Sequence, residues 1–161
     1  MISNIVVTDD GTEISDKAIE KASEIANQMD VPLILLHVID DIGIPASLIL
    51  GNDRAAIEVA RVTIGEAIEK GWNQRANTII EKLKKETNIT SVRSYCTWGV
   101  ASEEILKFIE KNKIDIVVMG AGKRMKGISK IGALGSVTRK VSELSQCPVP
   151  HSPLDNTYPS F

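Results

Sequence analysis

The sequence is poor in the residues that build metal sites, disulfide frameworks and membrane segments. Its 161 residues include two cysteines and two histidines, and aromatic residues make up 4%. Cys96 and Cys147 have no histidine or acidic residue at metal-ligand spacing, so we expect two buried free thiols in a reducing compartment. No apolar run approaches the roughly 18 residues of a membrane-spanning helix, and the N-terminus lacks the pattern of a signal peptide. The sequence therefore predicts a cytoplasmic protein with no membrane partner.

An excess of charge of one sign is also missing. The 19 basic and 21 acidic residues leave a formal net charge of −2, which gives no support for a nucleic-acid partner. Catalytic triads and paired acids near a histidine are absent, so the sequence predicts no enzyme with a dedicated nucleophile. What remains is a composition ordinary for one folded domain, 43% hydrophobic and 25% charged.

Short apolar runs alternate with helical patterns along the chain. The runs at 5–8, 31–38 and 114–119 predict buried strands, and the alternating run at 90–97 predicts an edge strand. The predicted helices begin near Thr12, run over 53–86 and 101–112, and follow Gly135. This order predicts an α/β fold, an open parallel β-sheet with helices on both faces. We expect one domain over 1–150 and a proline-rich tail over 151–161.

Two groups of residues with binding chemistry follow predicted strands. Asp10 and Gly11 form a turn after the first strand, and Gly120-Ala121-Gly122 begins the loop that leads to Gly135-Ser136. In an open parallel sheet, ligands bind beyond the carboxyl ends of the strands. Asp10 suits hydrogen bonds from a ribose or a base, or simple capping of its own turn. Its neighbour Asp9 is expected to be solvated.

The Gly135-Ser136 pair stands where a loop becomes a helix. Unpaired amides at a helix N-terminus attract phosphate oxygens, and glycine lets a phosphate approach the backbone. The same pair is also typical of a glycine turn with a serine N-cap. Four basic residues in the preceding loop suit either phosphates or solvent: Lys123, Arg124, Lys126 and Lys130. The loop is neither a Walker A motif nor a dinucleotide fingerprint. His37, inside an apolar strand, is interpreted as a core histidine rather than a catalytic base.

Taken together, several stretches resemble the universal stress protein family over roughly residues 3–149. They are DGTEIS at 10–15, LLHVID at 35–40, GVASEEIL at 99–106, IVVMG at 116–120, GSV at 135–137 and CPV at 147–149. Each stretch is weak alone, but their order and spacing are specific. The resemblance implies a Rossmann-like parallel sheet, five-stranded or with a truncated last strand, and a homodimeric stress-response protein that acts as a nucleotide-dependent switch.

One branch of that family binds ATP, and the resemblance carries its contacts to matching positions here. It implies that Thr8 and Asp10 line the adenosine, that the Val38 backbone holds the adenine edge, and that glycine-rich turns hold the phosphates. The remaining implied contacts are Met119, Gly120, Gly122, Gly135, Ser136 and Val137. The implied ligand is ATP, or ADP or AMP, with or without Mg²⁺, and slow hydrolysis stays open.

The sequence departs from the family pattern at two places. Fourteen residues separate Gly120 from Gly135 where the ATP-binding branch has twelve, and neither Lys123 nor Met125 supplies the middle glycine. Pro150 and Pro153 remove backbone donors from the segment that in relatives forms the last strand and pairs across a dimer. The alternatives are a member that binds no ATP and serves as a dimeric interaction or chaperone-like module, and an enzyme of a related adenine-nucleotide-handling fold.

Overall fold

The computed structural model describes residues 1–40, 53–121 and 135–152. Strands and helices alternate through these ranges, as the sequence predicts. The elements are β1 (Ile5–Thr8), α1 (Glu13–Met29), β2 (Leu33–Ile39), α2 (Arg54–Glu86), β3 (Val92–Trp98), α3 (Ala101–Asn112), β4 (Ile116–Gly120), α4 (Ser136–Leu144) and β5 (His151–Ser152). The predicted strands 31–38, 90–97 and 114–119 begin about two residues early, because the apolar pattern starts before the strand pairing does.

All five strands pair in parallel, in the order β3-β2-β1-β4-β5. The central strand β1 places Val6 between Ile34 on β2 and Val117 on β4. The chain moves outward from β1 to β3 and then crosses back to β4. The crevice between the carboxyl ends of β1 and β4 is therefore the point where the strand order reverses, which is where open α/β sheets bind ligands.

Helices cover both faces of the sheet, as predicted. One face packs against α1 and α2, through residues such as Ala22 and Trp72. The other face packs against α3 and α4, through residues such as Ile109 and Val141. Strand β3 lies at the edge of the sheet, in agreement with its alternating pattern. No helix among the described residues is long and apolar enough to cross a membrane.

The last strand of the described residues is β5, His151–Ser152, which pairs with Met119 and Gly120. Residues 151–152 belong to the segment predicted as a tail, of which residues 153–161 lie outside the described ranges. The nearby prolines are compatible with pairing because they act as acceptors. The amides of Val117 and Met119 donate to the carbonyls of Pro148 and Pro150, both at 3.1 Å. Because the nitrogen and the carbonyl of a strand residue lie on the same side, Pro150 has no N–H to donate to β4, and the strand pairing begins at His151.

Side-chain caps fix the starts of the two longest helices. The Thr12 hydroxyl accepts from the Ser15 amide at the start of α1, and the Asp53 carboxylate accepts from two amides at the start of α2. The predicted apolar stripe of α2 reaches the core only from Trp72 onward, since Ile64 and Ile68 are 40% and 39% exposed. Helix α2 thus extends well past the sheet that it covers.

Candidate functional site

A cavity of about 360 Å³ opens at the carboxyl ends of β1, β2 and β4. This volume lies within the usual range for small-molecule sites. Eight of the nine residues that the sequence singles out line this cavity: Thr8, Asp10, Val38, Met119, Gly120, Gly135, Ser136 and Val137. The ninth, Gly122, lies outside the described residues, as does the basic loop around it. Residues 129 positions apart in the chain, from Thr8 to Val137, thus surround one space.

Asp10 is exposed in the turn between β1 and α1. Its Oδ1 accepts from the amide of Thr12 at 3.0 Å and from the Thr12 hydroxyl at 2.5 Å. These two bonds orient the carboxylate while leaving its second oxygen without a hydrogen-bond partner among the described residues. Both sequence interpretations of Asp10 therefore agree with the geometry, because one oxygen caps the turn and the other is available to a ligand.

The prediction that Asp9 is solvated is wrong. Its side chain is 0% exposed, and it accepts from the Gly11 amide at 2.9 Å and from the Ser15 hydroxyl at 2.8 Å. Arg75 of α2 completes the shell with two bonds, from Nε to Oδ2 at 2.9 Å and from Nη2 to Oδ1 at 3.0 Å. The same Nη2 contacts Asp16 of α1. The turn after β1 is thus held by an ion pair between the buried Asp9 and the partly exposed Arg75, which no local pattern reveals.

Burial alone would raise the pKa of the Asp9 carboxyl. The hydrogen bonds from Arg75, Gly11 and Ser15, together with the positive charge of Arg75, outweigh that effect and hold the pKa below its ordinary value. The pKa of Arg75 is raised in turn, chiefly by its hydrogen bond to Asp9. Both groups are therefore charged at neutral pH.

His37 has the partners of a structural histidine. Its Nδ1 lies 2.6 Å from the carbonyl oxygen of Asp9, and because a carbonyl only accepts, Nδ1 carries the proton. The imidazole also stacks on Trp72, with ring centroids 5.5 Å apart and planes 13° apart. These contacts support the interpretation of His37 as a satisfied core histidine, although its edge also borders the cavity.

The opposite end of the cavity is formed by the start of α4. Gly135 is the N-cap, with φ of −58°, and Ser136 is the first helical residue. Among the described residues no side chain caps this end, so the alternative interpretation of Ser136 as the N-cap does not hold, and the first amides of α4 have no side-chain partner in the described part of the chain. Thr138, which the sequence analysis did not single out, donates its buried hydroxyl to the Gly120 carbonyl at 3.1 Å. This bond joins the start of α4 to the end of β4.

A second residue that the sequence analysis missed is Asp40, just past the end of β2. It lines the cavity, and its Oδ1 accepts from the amide of Ala101 at 3.1 Å. Helix α3 has no side-chain cap of its own, because its N-cap residue is Val100. Asp40 therefore fixes the start of α3 beside the cavity. Among the described residues, no cluster of three or more histidine, cysteine or acidic side chains suits a metal ion.

Comparison with known proteins decides the family. The model of the universal stress protein family matches residues 1–150. The chain belongs to this family. The chain is 30% identical over 155 residues to a curated family member, universal stress protein MJ0577 of Methanocaldococcus jannaschii. The match covers 92% of this chain and 93% of the length of that protein. The family resemblance carried by the sequence motifs is therefore confirmed.

Solved structures of universal stress proteins share the fold. The UspA protein of Lactobacillus plantarum superposes with a TM-score of 0.71 at 21% identity, covering 93% of this chain and 97% of its own. A universal stress protein from Archaeoglobus fulgidus, solved in complex with dAMP, superposes with a TM-score of 0.54 at 17% identity. The match covers 94% of this chain and 97% of the Archaeoglobus chain. Another universal stress protein, solved in complex with cAMP, superposes with a TM-score of 0.56 at 21% identity. The match covers 92% of this chain and 94% of the other chain.

Proposed function

We propose that this universal stress protein binds an adenine nucleotide in the cavity between β1 and β4 and acts as a nucleotide-dependent switch in a stress response. The observation that carries the proposal is that the family's motif residues, which are distant in the sequence, converge on one cavity. This cavity has acidic groups at one end and, at the other, a helix N-terminus that no described side chain caps. The dAMP and cAMP complexes of two proteins with this fold support the same ligand class.

The distribution of charge in the cavity favours one orientation of the bound nucleotide. Asp10 and Asp40 make one end acidic, which disfavours phosphate there and suits donors such as ribose hydroxyls or the adenine amine. The start of α4, at Ser136, offers partly positive amides that favour phosphate oxygens. We therefore place the nucleoside between β1 and β2, and the phosphates at Gly120, Gly135 and Ser136.

The backbone of Val38 is well placed for the adenine edge. Strand β1 ends at Thr8, opposite Leu36, whereas β2 continues to Ile39. The Leu36 carbonyl accepts from the Asp9 amide on the β1 side, and the Ile39 carbonyl accepts from Gly99 on the β3 side. Because peptide groups alternate sides along a strand, those of Val38 point past the end of β1 into the cavity. One N–H and one C=O there match the acceptor and donor on an adenine edge.

The most direct test is to denature the purified protein and to analyse the released small molecules by anion-exchange chromatography. We expect ATP, ADP or AMP at a near-stoichiometric ratio, or a thermal shift with millimolar Mg-ATP if the protein purifies empty. Gly135→Val should abolish phosphate binding, because it adds a side chain where we place the phosphates. The fold should stay intact, since the φ of Gly135 suits any residue and no described atom lies within 4 Å of an added Cβ. A protein without nucleotide and without a thermal shift would contradict the proposal.

The second candidate is a family member that binds no ATP and serves as a dimeric interaction or chaperone-like module. The lack of a glycine at the expected middle position of the loop, which falls on Lys123 or Met125, favours it. This candidate predicts no released nucleotide and unchanged behaviour of Gly135→Val. Light scattering of the purified protein tests the homodimer that both candidates share.

A further inference from the structure

We propose that Arg75 is a positioning residue for the nucleoside end of the cavity. Helix α2 would then control adenosine affinity through Asp9 although Arg75 does not line the cavity. The inference rests on the proposed nucleotide site, and it adds to that site a residue that lies outside every motif of the family resemblance. Arg75 stands 66 positions from Asp9 in the sequence.

Asp9 is the residue on which the whole turn between β1 and α1 depends. Its main chain pairs with β2, since its amide donates to the Leu36 carbonyl at 2.9 Å and its carbonyl contacts His37 Nδ1 at 2.6 Å. Its side chain holds the next part of the turn, at the amide of Gly11 and the hydroxyl of Ser15. The φ of Gly11, +79°, reverses the chain between these two contacts. The path of the backbone at Asp10 is therefore set by the carboxylate of Asp9.

The Asp9 carboxylate needs Arg75 in order to sit where it does. A fully buried carboxylate is costly unless it is paired and hydrogen-bonded, and the paired Nε and Nη2 donors of an arginine are the geometry that fixes a carboxylate plane. Arg75 also contacts Asp16 in the first turn of α1. One guanidinium thus joins α2 to both ends of the turn that presents Asp10 to the cavity.

The placement suits a positioning role better than a purely stabilising one. A buried ion pair seldom exceeds the stability of well-packed apolar residues, whereas the two bonds from Arg75 fix the orientation of the Asp9 carboxylate. A turn that is already ordered before the ligand arrives loses less entropy on binding. Arg75 contacts neither β4 nor α4 through any bond of the described residues, so its effect should fall on the nucleoside and spare the phosphates.

The test measures the affinities of ATP and of adenosine by isothermal titration for wild type and Arg75→Lys. Lysine keeps the positive charge but not the two parallel donors. We expect both affinities to fall by about tenfold, the effect of one lost charge-assisted hydrogen bond, with the ratio of ATP to adenosine affinity unchanged. Arg54→Lys, at the exposed start of the same helix, should bind both ligands as wild type does. Thr138→Val, at the phosphate end, should instead lower the ratio and leave adenosine affinity unchanged.

Equal binding of adenosine by wild type and Arg75→Lys would overturn the inference while leaving the nucleotide site intact. A loss of adenosine affinity in Arg75→Lys together with a lower ratio of ATP to adenosine affinity would overturn it too. Such a result would mean that the substitution loosens both ends of the cavity. If wild type binds neither ligand, the proposed function fails and takes the inference with it. If circular dichroism shows that Arg75→Lys does not fold, the uncharged pair Asp9→Asn with Arg75→Gln replaces it. We expect this double variant to lose affinity for adenosine and for ATP equally, with the ratio of the two affinities unchanged.

Discussion

The two ends of the cavity are built in different ways. The end proposed for the nucleoside, which we call the nucleoside end, is held by a dense set of side-chain bonds around the buried Asp9, including an ion pair from a distant helix. Among the described residues, the end proposed for the phosphates, which we call the phosphate end, has one side-chain bond, from the Thr138 hydroxyl to the Gly120 carbonyl, and the amides at the start of α4.

The difference shows two ways of preparing a binding surface. A nucleoside needs donors and acceptors at fixed positions, and fixing an exposed turn takes buried support from elsewhere in the fold. A phosphate needs only a concave set of amides with partial positive charge, which the first turn of a helix supplies by itself. Changes at the nucleoside end should therefore cost more stability than changes at the phosphate end.

The largest effect is expected for Arg75→Leu. Removing the arginine leaves the Asp9 carboxylate buried without its charge partner, which costs about 3–5 kcal/mol of unfolding free energy. Chemical denaturation measures the loss. A cost below that of Thr138→Val would contradict the contrast between the two ends.

A smaller effect is expected at Gly120, where the end of β4 packs against Ile14 of α1. A Cβ on Gly120 would lie 2.3 Å from Ile14 Cγ2 of α1, so Gly120→Ala should cost about 1–3 kcal/mol through overpacking. Gly71→Ala is the matched control, since no described atom lies within 4 Å of its added Cβ. The control should stabilise the exposed helix by about 0.5–1 kcal/mol. Similar melting shifts for the two variants would show that the contact with Ile14 relaxes freely.

Acid should weaken the nucleoside end of the cavity through Asp9. The pKa of Asp9 in the folded protein lies below its ordinary value of 3.8, so its contribution is complete well above pH 3.8 and is lost as pH falls through the folded pKa. The unfolded chain takes up the proton first, and the loss approaches at most about 1.4 kcal/mol per pH unit for one carboxyl.

Unfolding curves between pH 5 and pH 2 measure this loss. Asp115, whose pKa is lowered by the amides of Ser3 and Asn4, adds to the acid sensitivity away from the cavity. Asp115→Asn should keep the contribution of Asp9, whereas Asp9→Asn with Arg75→Gln should flatten the profile. An equally steep profile in the double variant would rule out Asp9 as its source.

The smallest effect is expected at the phosphate end. Thr138→Val replaces a hydroxyl by a methyl group of similar shape and breaks the bond to the Gly120 carbonyl, at a cost of about 1 kcal/mol. Thr138→Ser keeps the donor and should restore most of the loss. Thermal melts of the two variants check the difference, and a Thr138→Val protein as stable as wild type would show that this bond does not hold α4 to β4.

The sequence predicts the fold well because its signals are local. Apolar runs such as 5–8 and 114–119 mark strands buried on both faces, and the helical patterns between the strands predict helices packed on a parallel sheet. The family motifs also bring eight of the nine predicted site residues to one cavity, since each motif follows a strand or opens a helix. The predicted starts of β2, β3 and β4 lie two residues before the observed ones, because the apolar pattern begins before the strands pair.

The support around Asp9 could not be predicted in the same way. Of the two adjacent acids, the pattern points to Asp10 because Gly11 follows it, and nothing in the turn shows that Asp9 faces inward. The available signal lies elsewhere, in Arg75, which follows Trp72 by one helical turn and precedes Ala76 on the apolar stripe of α2. A cation on a buried stripe calls for a buried acid, but only the fold identifies which one.

The central claim is that the nucleoside end of this cavity recognises adenine. Titration of nucleotide-free protein with ATP and with GTP at equal Mg²⁺ tests it most directly, because the two ligands share their phosphates and differ at the base edge that faces Val38. We expect ATP to bind more tightly than GTP by about tenfold or more, since a guanine edge leaves the backbone donor or acceptor of Val38 unpaired. Equal affinities, or no ATP binding at millimolar concentration, would contradict the account.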